Sequence, residues 1–277
     1  MSEPSIKKLP ASRGLAWFSG SLILLRAQPV RLLLIGLVLQ FLMGFTQMGA
    51  LGFLLILAIP ALTAGVMQSM SLVERGHRPP LMTLFCAFSE PQKVTRLFVL
   101  SLVMIAVGAL TAGGMLSGLA DTLDAELLRQ LEEGDLEAIA MANPELIQRL
   151  ALALVVGLMV STFLVYFSVP LVWFLNRPAG AAILEGLAGM LRNWLPFLVL
   201  SGLLAIVAMP LVILTVFMLV GAFSTGASSN MLTLLMLLLM VAYQLLLFGA
   251  QYLSFKEIFG NGEENSEMDS NDGQLIA

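Results

Sequence analysis

Residues 193 to 255 read NWLPFLVLSGLLAIVAMPLVILTVFMLVGAFSTGASSNMLTLLMLLLMVAYQLLLFGAQYLSF, and they include no acidic, basic or histidine side chain. The same absence marks residues 32 to 73, 97 to 120 and 150 to 176. A bilayer core about 30 Å thick needs roughly 20 helical residues per crossing. The first and last stretches are therefore each long enough for two crossings, and the two between them for one each. We predict an all-α fold, a polytopic transmembrane helical bundle with six crossings.

The composition also indicates lipid as the surrounding solvent, because 58% of the residues are hydrophobic and only 12% are charged. Soluble domains carry about 25% charged residues. A transmembrane barrel would alternate polar and apolar residues in segments of about ten, whereas Leu232 to Leu239 do not alternate. Within lipid, such a run satisfies its backbone hydrogen bonds only as a helix.

We consider six crossings with both termini on the same side of the membrane. In this arrangement, most of the basic residues lie on the side of the termini. Twelve of the 14 belong there: Lys7, Lys8, Arg13, Arg26, Arg31, Arg75, Arg78, Lys93, Arg96, Arg177, Arg192 and Lys256. Arg129 and Arg149 fall on the other side. Because Lys and Arg are enriched in cytoplasmic loops, we expect both termini to be cytoplasmic.

The acidic residues are distributed differently, with eight of the 18 between Asp121 and Glu145 on the far side and six between Glu257 and Asp272. Four acidic residues lie elsewhere. The cytoplasmic surface near the lipid is therefore basic, and we expect it to attract anionic lipid head groups.

An amphipathic segment precedes the first, third and fifth predicted crossings. These segments are residues 14 to 31, 79 to 96 and 178 to 196. In the second, one helical face holds the apolar side chains Leu81, Leu84, Phe85 and Phe88. We expect helices in the cytoplasmic interface, with Trp17 and Trp194 at head-group depth. Three true repeats and three independent connectors both account for the pattern.

The predicted organisation divides the chain into nine parts. They are a cytoplasmic N-terminus with an interfacial helix (1–31), transmembrane hairpin 1 (32–73), a cytoplasmic connector (74–96), transmembrane helix 3 (97–120), an acidic periplasmic helical loop (121–149), transmembrane helix 4 (150–175), a cytoplasmic interfacial helix (176–193), transmembrane hairpin 3 (194–256) and a disordered acidic cytoplasmic tail (257–277).

The polar side chains near or inside the predicted crossings are mainly amides: Gln40, Gln47, Gln68, Gln244, Gln251, Asn193 and Asn230. Transport of ions and protons usually relies on charged side chains within the membrane, so a proton-coupled mechanism is disfavoured. Amides in lipid more often tie neighbouring helices together than bind cargo.

Three prolines, Pro60, Pro170 and Pro210, lie inside predicted crossings and should kink a helix or leave a carbonyl free. Broken helices form the substrate site in some transporters, although proline also occurs in ordinary membrane helices. Gly114 to Gly118 has the small-residue spacing of close helix contacts, for which packing within the molecule is favoured over dimerisation.

No residue pattern indicates catalysis, a cofactor or a metal. Cys86 is the only cysteine and His77 the only histidine, whereas a zinc site needs several such ligands. Asp121, Asp124 and Glu126 lack the glycine and ligand spacing of a calcium loop, so helix capping explains them better. We assign no catalytic, cofactor-binding or metal-binding residue, and expect no cofactor and no enzymatic activity.

The step Arg-Asn-Trp-Leu-Pro-Phe at residues 192 to 197 follows a proline-bearing apolar run that starts at Val169. It resembles a stretch of uncharacterised proteobacterial six-helix inner-membrane proteins, in which Arg-Asn-Trp-x-Pro-Phe precedes the fifth crossing. The resemblance covers residues 13 to 259, and its specific part lies within residues 169 to 197. It implies an inner-membrane location and supplies no catalytic residues.

Two functions fit these observations. The first is a non-enzymatic protein that organises membrane lipid or a protein partner through its surface helices and acidic far-side loop. The alternative is a transporter or permease component for an uncharged or lipophilic small molecule. We expect membrane lipids as partners, a protein partner at the periplasmic loop, and no nucleic acid. The sequence leaves the oligomeric state open.

Overall fold

The computed structural model describes residues 6–117, 144–225 and 230–260, and every regular element within them is helical. The α-helices are α1 (Arg13–Ala27), α2 (Pro29–Gly44), α3 (Gly49–Glu74), α4 (Pro91–Leu116), α5 (Pro144–Val165), α6 (Ser168–Leu175), α7 (Ala179–Arg192), α8 (Trp194–Thr225) and α9 (Asn230–Phe259). Two 3-10 helices, Phe45–Gln47 and Leu81–Ser89, connect α2 to α3 and α3 to α4. The helices expected within the acidic loop before residue 144, and the tail after residue 260, lie outside the described residues.

Five helical spans in the described residues are long and apolar enough to cross a bilayer. They are Gly49–Glu74, Pro91–Met115, Pro144–Leu175, Trp194–Met218 and Met231–Phe259. The pair formed by α1 and α2 passes the same test as one bent span, which gives up to six. Because a chain in lipid must satisfy its own backbone groups, these spans identify a multi-pass helical membrane protein.

The bent span turns by 100° between α1 and α2. Pro29 occupies the first turn of α2, where a backbone N–H is not needed. Its ring disfavours a helical conformation for the preceding residue, and Gln28 has φ −142° and ψ 60°. One proline therefore explains why the two helices do not continue into each other.

One face of α1 packs against α8 and α9. A Cβ on Gly14 would lie 2.2 Å from the Pro196 carbonyl oxygen, so glycine permits this close approach. Trp17, expected at head-group depth, is 2% exposed, and its ring lies 5.2 Å from that of Phe197. Trp194 is 59% exposed. The two tryptophans thus occupy different surroundings, because Trp17 packs inside the protein.

The connector before α4 is a 3-10 helix, where the sequence spacing predicts an interfacial α-helix. With three residues per turn, Leu84 and Ala87 share a face, and both are fully buried. A Cβ on Gly65 would lie 2.1 Å from the Leu84 carbonyl oxygen. The connector therefore packs against α3, and α4 begins at Pro91, ahead of the expected crossing at residues 97 to 120.

α3 is the most deeply packed of the spanning helices. Half of its apolar window, 50%, is buried, against 17% for α4 and 11% for α8. Beside it lies a cluster of aromatic rings in contact: Trp17, Tyr166, Phe167, Phe174, Phe197, Phe255 and Phe259. The outer helices thus leave most of their apolar surface to lipid.

Charged side chains meet where the ends of α1, α3 and α9 come together. Lys256 Nζ lies 2.8 Å from Glu74 Oε1. Glu257 accepts a hydrogen bond from Trp17 Nε1 at 2.7 Å and lies 2.5 Å from Arg13 Nε. We call this region, defined by Arg13, Glu74, Lys256 and Glu257, the charged end of the bundle.

Asn193 fastens the segment before α1 to the turn between α7 and α8. The side chain is 1% exposed. Its Oδ1 accepts a hydrogen bond from the Leu9 N–H at 2.8 Å, and its Nδ2 donates to the carbonyls of Lys7 at 2.9 Å and Gly189 at 3.0 Å. The amide thus ties together segments far apart in sequence, as predicted for amides in this chain.

Candidate functional site

The span from α5 to α6 is interrupted at Tyr166 and Phe167. Pro170 explains the interruption, because it lacks the N–H that would bond the Tyr166 carbonyl four residues earlier. The Nε2 of Gln251, on α9, donates a hydrogen bond to this carbonyl. The sequence predicts a helix break at Pro170 and helix-joining amides as separate features. In the structure, the Gln251 amide bonds the carbonyl that Pro170 leaves without a helical partner.

A cleft of 210 Å³, which we call the polar cleft, lies beside this interruption. Its lining comes from α3, α4, α5, α6, α9 and the interruption itself: Ile59, Pro60, Thr63, Met104, Thr162, Val165, Tyr166, Val169, Phe248 and Gln251. None of these side chains is acidic or basic at neutral pH. The cleft therefore offers hydroxyl and amide groups within apolar walls.

A larger cleft of 410 Å³, the apolar cleft, adjoins the polar cleft and shares Ile59 and Met104 with it. The rest of its lining comes from α3, α4 and α5: Ile56, Ile105, Gly108, Ala109, Ala112, Leu154, Gly157, Leu158 and Ser161. Ser161 is the one polar side chain in this lining. Its Oγ lies 2.7 Å from the Gly157 carbonyl and 3.0 Å from the Met104 carbonyl, so it is occupied in tying α5 to α4.

Two glycines bring α4 and α5 close together at the apolar cleft. A Cβ on Gly157 would lie 2.8 Å from the Gly108 carbonyl oxygen. The sequence predicts such a contact at Gly114 to Gly118, and a Cβ on Gly114 would meet no atom of the described residues within 4 Å. Gly118 lies outside the described residues.

The hydroxyls of Thr63 and Thr162, in the polar cleft, take part in no hydrogen bond within the described residues. Other threonines bond the carbonyl four residues earlier in their own helix, each at 2.8 Å: Thr95 to Pro91, Thr111 to Val107 and Thr215 to Leu211. A hydroxyl can donate one hydrogen bond and accept others. The polar cleft therefore presents two hydroxyls whose hydrogen-bonding capacity is not used by any described residue.

The remaining amides differ in their roles. Gln68 accepts a hydrogen bond from Trp173 Nε1 at 2.9 Å, which confirms a tie between α3 and α6. Gln40 and Gln244 take part in no hydrogen bond within the described residues. The side chains of Gln47 and Asn230 lie outside the described part of the structure.

The other two prolines do not interrupt their helices. Pro60 lies inside the continuous α3 and Pro210 inside the continuous α8. Near Pro60, Ser101 Oγ donates to the Leu57 carbonyl at 2.6 Å and so joins α4 to α3. Of the three prolines, Pro170 is therefore the one that produces a break.

The other residues considered for chemistry lie apart from the clefts. Cys86 is half-buried in the connector, and burial, together with the nearby Glu90 charge, raises the pKa of its thiol to about 11. His77 is exposed. Among the described residues, no three His, Cys, Asp or Glu side chains are grouped as a metal site would require. Asp121, Asp124 and Glu126 lie outside the described residues.

The sequence patterns did not identify the clefts themselves. Gly157 and Ser161 are four residues apart, a small-residue spacing that favours close helix contact. That spacing is the signal that could have located the α4 contact. Thr63 and Thr162 carry no such signal, because nothing in a sequence shows that a threonine hydroxyl lacks a partner. In comparisons with known proteins, no family model, no curated protein and no solved structure matches this chain.

Proposed function

We propose that this chain is a non-enzymatic inner-membrane protein that binds a membrane lipid, or another lipophilic molecule, in the two adjoining clefts and so organises lipid around it. The observation that carries the proposal is an apolar cleft open on its outer side. Leu154 and Leu158, in its lining, are 68% and 62% exposed. In a membrane this opening faces acyl chains rather than water.

The chemistry of the lining supports binding over bond cleavage. The polar groups are the hydroxyls of Thr63, Thr162, Ser161 and Tyr166 and the amide of Gln251. General acid–base catalysis usually uses His, Asp, Glu, Lys, Tyr or Cys whose pKa lies near the operating pH. Apolar walls with a few hydrogen-bonding groups are typical of small-molecule sites.

The charges and the resemblance support the proposed location within the cell. The excess of Lys and Arg on one side supports a cytoplasmic position for the charged end, and the Arg-Asn-Trp-x-Pro-Phe resemblance supports the bacterial inner membrane. A membrane-impermeant thiol reagent tests the orientation on Met82→Cys in a Cys86→Ser background, because Met82 is 72% exposed. We expect protection in intact cells and labelling after lysis; labelling in intact cells would contradict this orientation.

The acidic periplasmic loop supports a second contact, with a protein partner. This part of the proposal rests on the eight acidic residues between Asp121 and Glu145. Loss of a co-purified protein when residues 121 to 143 are replaced by a neutral linker would support it, and an unchanged set of co-purified proteins would count against it.

Retention of lipid during purification tests the main proposal. A photo-cross-linking residue replaces Leu158 in the apolar cleft, or Leu198 on α8, which is outside both clefts. The two positions are matched, at 62% and 61% exposed. After extensive detergent exchange we expect lipid adducts at position 158 and few at position 198, because bulk lipid is removed while bound lipid stays. Equal adduct yields at the two positions would overturn the proposal.

The interrupted helix favours a second candidate, a transporter or permease component for an uncharged or lipophilic molecule. Irregular backbone beside a polar cleft is a feature of some transporter sites. Flux or lipid exchange in proteoliposomes that falls in Gln251→Leu and Pro170→Ala, but not in Gln244→Leu, would support this candidate. The absence of protein-dependent flux would leave lipid binding alone.

A further inference from the structure

We infer that the ligand is a lipid with an apolar chain and an uncharged, hydroxyl-bearing polar end, with that end in the polar cleft and the chain in the apolar cleft. This inference rests on the proposed function, because it assigns a chemical class to the ligand of the same site. It is carried by the different chemistry of the two clefts and by the two unused threonine hydroxyls.

The polar cleft suits an uncharged end. Its lining holds no acidic, basic or histidine side chain, and an ion in such surroundings has no countercharge. Met104 lies eight residues along α4 from Arg96, about 12 Å of helix. The Arg96 guanidinium is itself bound to Asn176, with Nη1 at 2.6 Å from the carbonyl oxygen and 2.7 Å from Oδ1. A phosphate or ammonium group is therefore a poor match.

The hydrogen-bonding groups suit a hydroxyl in particular. Thr63 and Thr162 can each donate and accept, and Gln251 Oε1 is a further acceptor. A ligand hydroxyl, which also donates and accepts, matches this set of groups. A plain hydrocarbon would leave both threonine hydroxyls unpaired in an apolar setting, which is unfavourable.

The apolar cleft suits a single chain that runs along the helices. It extends from Met104 to Ala112 on α4 and from Ser161 to Leu154 on α5. Eight residues of α-helix span about 12 Å. Both helices lead away from the polar cleft in this direction, so a chain attached to a hydroxyl at Thr63 and Thr162 continues into apolar surroundings.

Competition against a photoreactive hexadecanol probe tests this inference on the full chain in lipid nanodiscs. The competitors share one chain and differ at the end: hexadecanol, hexadecane and hexadecyl phosphate. We expect hexadecanol to suppress labelling at much lower concentration than the other two. Equal suppression by hexadecane, or stronger suppression by hexadecyl phosphate, would overturn the hydroxyl assignment while leaving lipid binding in place. Labelling that no competitor suppresses would overturn both.

The double variant Thr63→Val and Thr162→Val tests the assigned hydroxyls with little change in shape. We expect the affinity for hexadecanol to fall about tenfold, as for the loss of one or two hydrogen bonds, and the affinity for hexadecane to stay the same. Thr215→Val is the matched control, because Thr215 is exposed and lines neither cleft. Unchanged hexadecanol affinity in the double variant would refute the assignment of these residues.

Discussion

The Gln251 side-chain amide donates a hydrogen bond to the Tyr166 carbonyl, which Pro170 leaves without a helical partner. An amide on one helix thus replaces a backbone donor missing from another. Gln251 and Tyr166 also line the polar cleft. The interruption that exposes the carbonyl therefore also forms part of the wall of the proposed ligand site.

Removal of the Gln251 amide should destabilise the protein only while Pro170 is present. We expect Gln251→Leu to lower the free energy of unfolding by about 1–2 kcal/mol, because the Tyr166 carbonyl loses its partner in lipid. In a Pro170→Ala background the new N–H can bond the carbonyl, so the same change should cost much less. Unfolding by SDS in mixed micelles measures all four proteins. An equal cost in both backgrounds would show that the carbonyl is not what Gln251 stabilises.

Glycine at position 157 should be required for full stability of the protein, and glycine at position 114 should not. A Cβ on Gly157 would lie 2.8 Å from a backbone oxygen of α4, whereas one on Gly114 meets no described atom within 4 Å. We expect Gly157→Ala to lower the free energy of unfolding by about 1–3 kcal/mol through overpacking. Gly114→Ala should change it by less than about 0.5 kcal/mol. The same SDS titration distinguishes these outcomes, and a larger effect at position 114 would contradict the packing described.

Substitution of Asn193 should release the N-terminal segment. Asn193→Ala removes the partners of the Leu9 N–H and the Lys7 carbonyl, so we expect trypsin to cleave at Lys7 and Lys8 at least about tenfold faster through local opening. Gln40→Ala is the control, because Gln40 is exposed and makes no described hydrogen bond. Cleavage is followed by mass spectrometry of the intact chain. Equal rates in the two variants would mean that Asn193 does not hold the segment.

The raised pKa of Cys86 should shift its reactivity to high pH. The thiolate is the reactive form, and a pKa of about 11 leaves little of it at pH 8. We expect alkylation by iodoacetamide at pH 8 to be about 100-fold slower than for a thiol near its ordinary pKa, and to keep rising up to about pH 11. Met82→Cys with Cys86→Ser supplies the exposed comparison, whose rate should level off near pH 9. Matching pH profiles would refute the effect of burial.

Arg26 and Arg31 should make the protein sensitive to anionic lipid. Both are exposed, flank the bend between α1 and α2, and form no ion pair within the described residues. Each basic residue near an anionic surface contributes about 1 kcal/mol. We expect phosphatidylglycerol to raise the Tm of the unaltered chain relative to phosphatidylcholine, and Arg26→Gln with Arg31→Gln to remove most of that increase. Arg149→Gln, which breaks a pair with Glu145, should leave it in place.

The helical membrane class was predictable from the sequence because it depends on long apolar runs. Charge-free stretches locate candidate spans without any knowledge of tertiary structure. Five helical spans long and apolar enough to cross a bilayer, or up to six with the bent pair, are present in the described residues. The break at Pro170 was likewise predictable, since proline removes a specific N–H.

Contacts between segments were harder to predict, because they depend on which faces meet. A tryptophan at the start of a membrane protein's first helices is typical of an interfacial anchor. Trp17, however, is buried against Phe197 and donates a hydrogen bond to Glu257. Gly114 has the right spacing for a helix contact, yet no atom of the described residues lies within 4 Å of a Cβ placed on it. Periodicity shows which residues share a face and does not show which helix covers that face.

The helices are packed unequally along their length. Aromatic rings and ion pairs hold the helices together near the charged end, whereas side chains further along, such as Leu110 and Phe217, are 76% and 72% exposed. In lipid, no hydrophobic driving force brings such exposed apolar side chains into contact with other helices. The far halves therefore depend on close packing such as that of Gly108 against Gly157, whereas ion pairs also hold the charged end together. The proposed ligand would reach the apolar cleft by displacing acyl chains, because Leu154 and Leu158 in its lining are exposed.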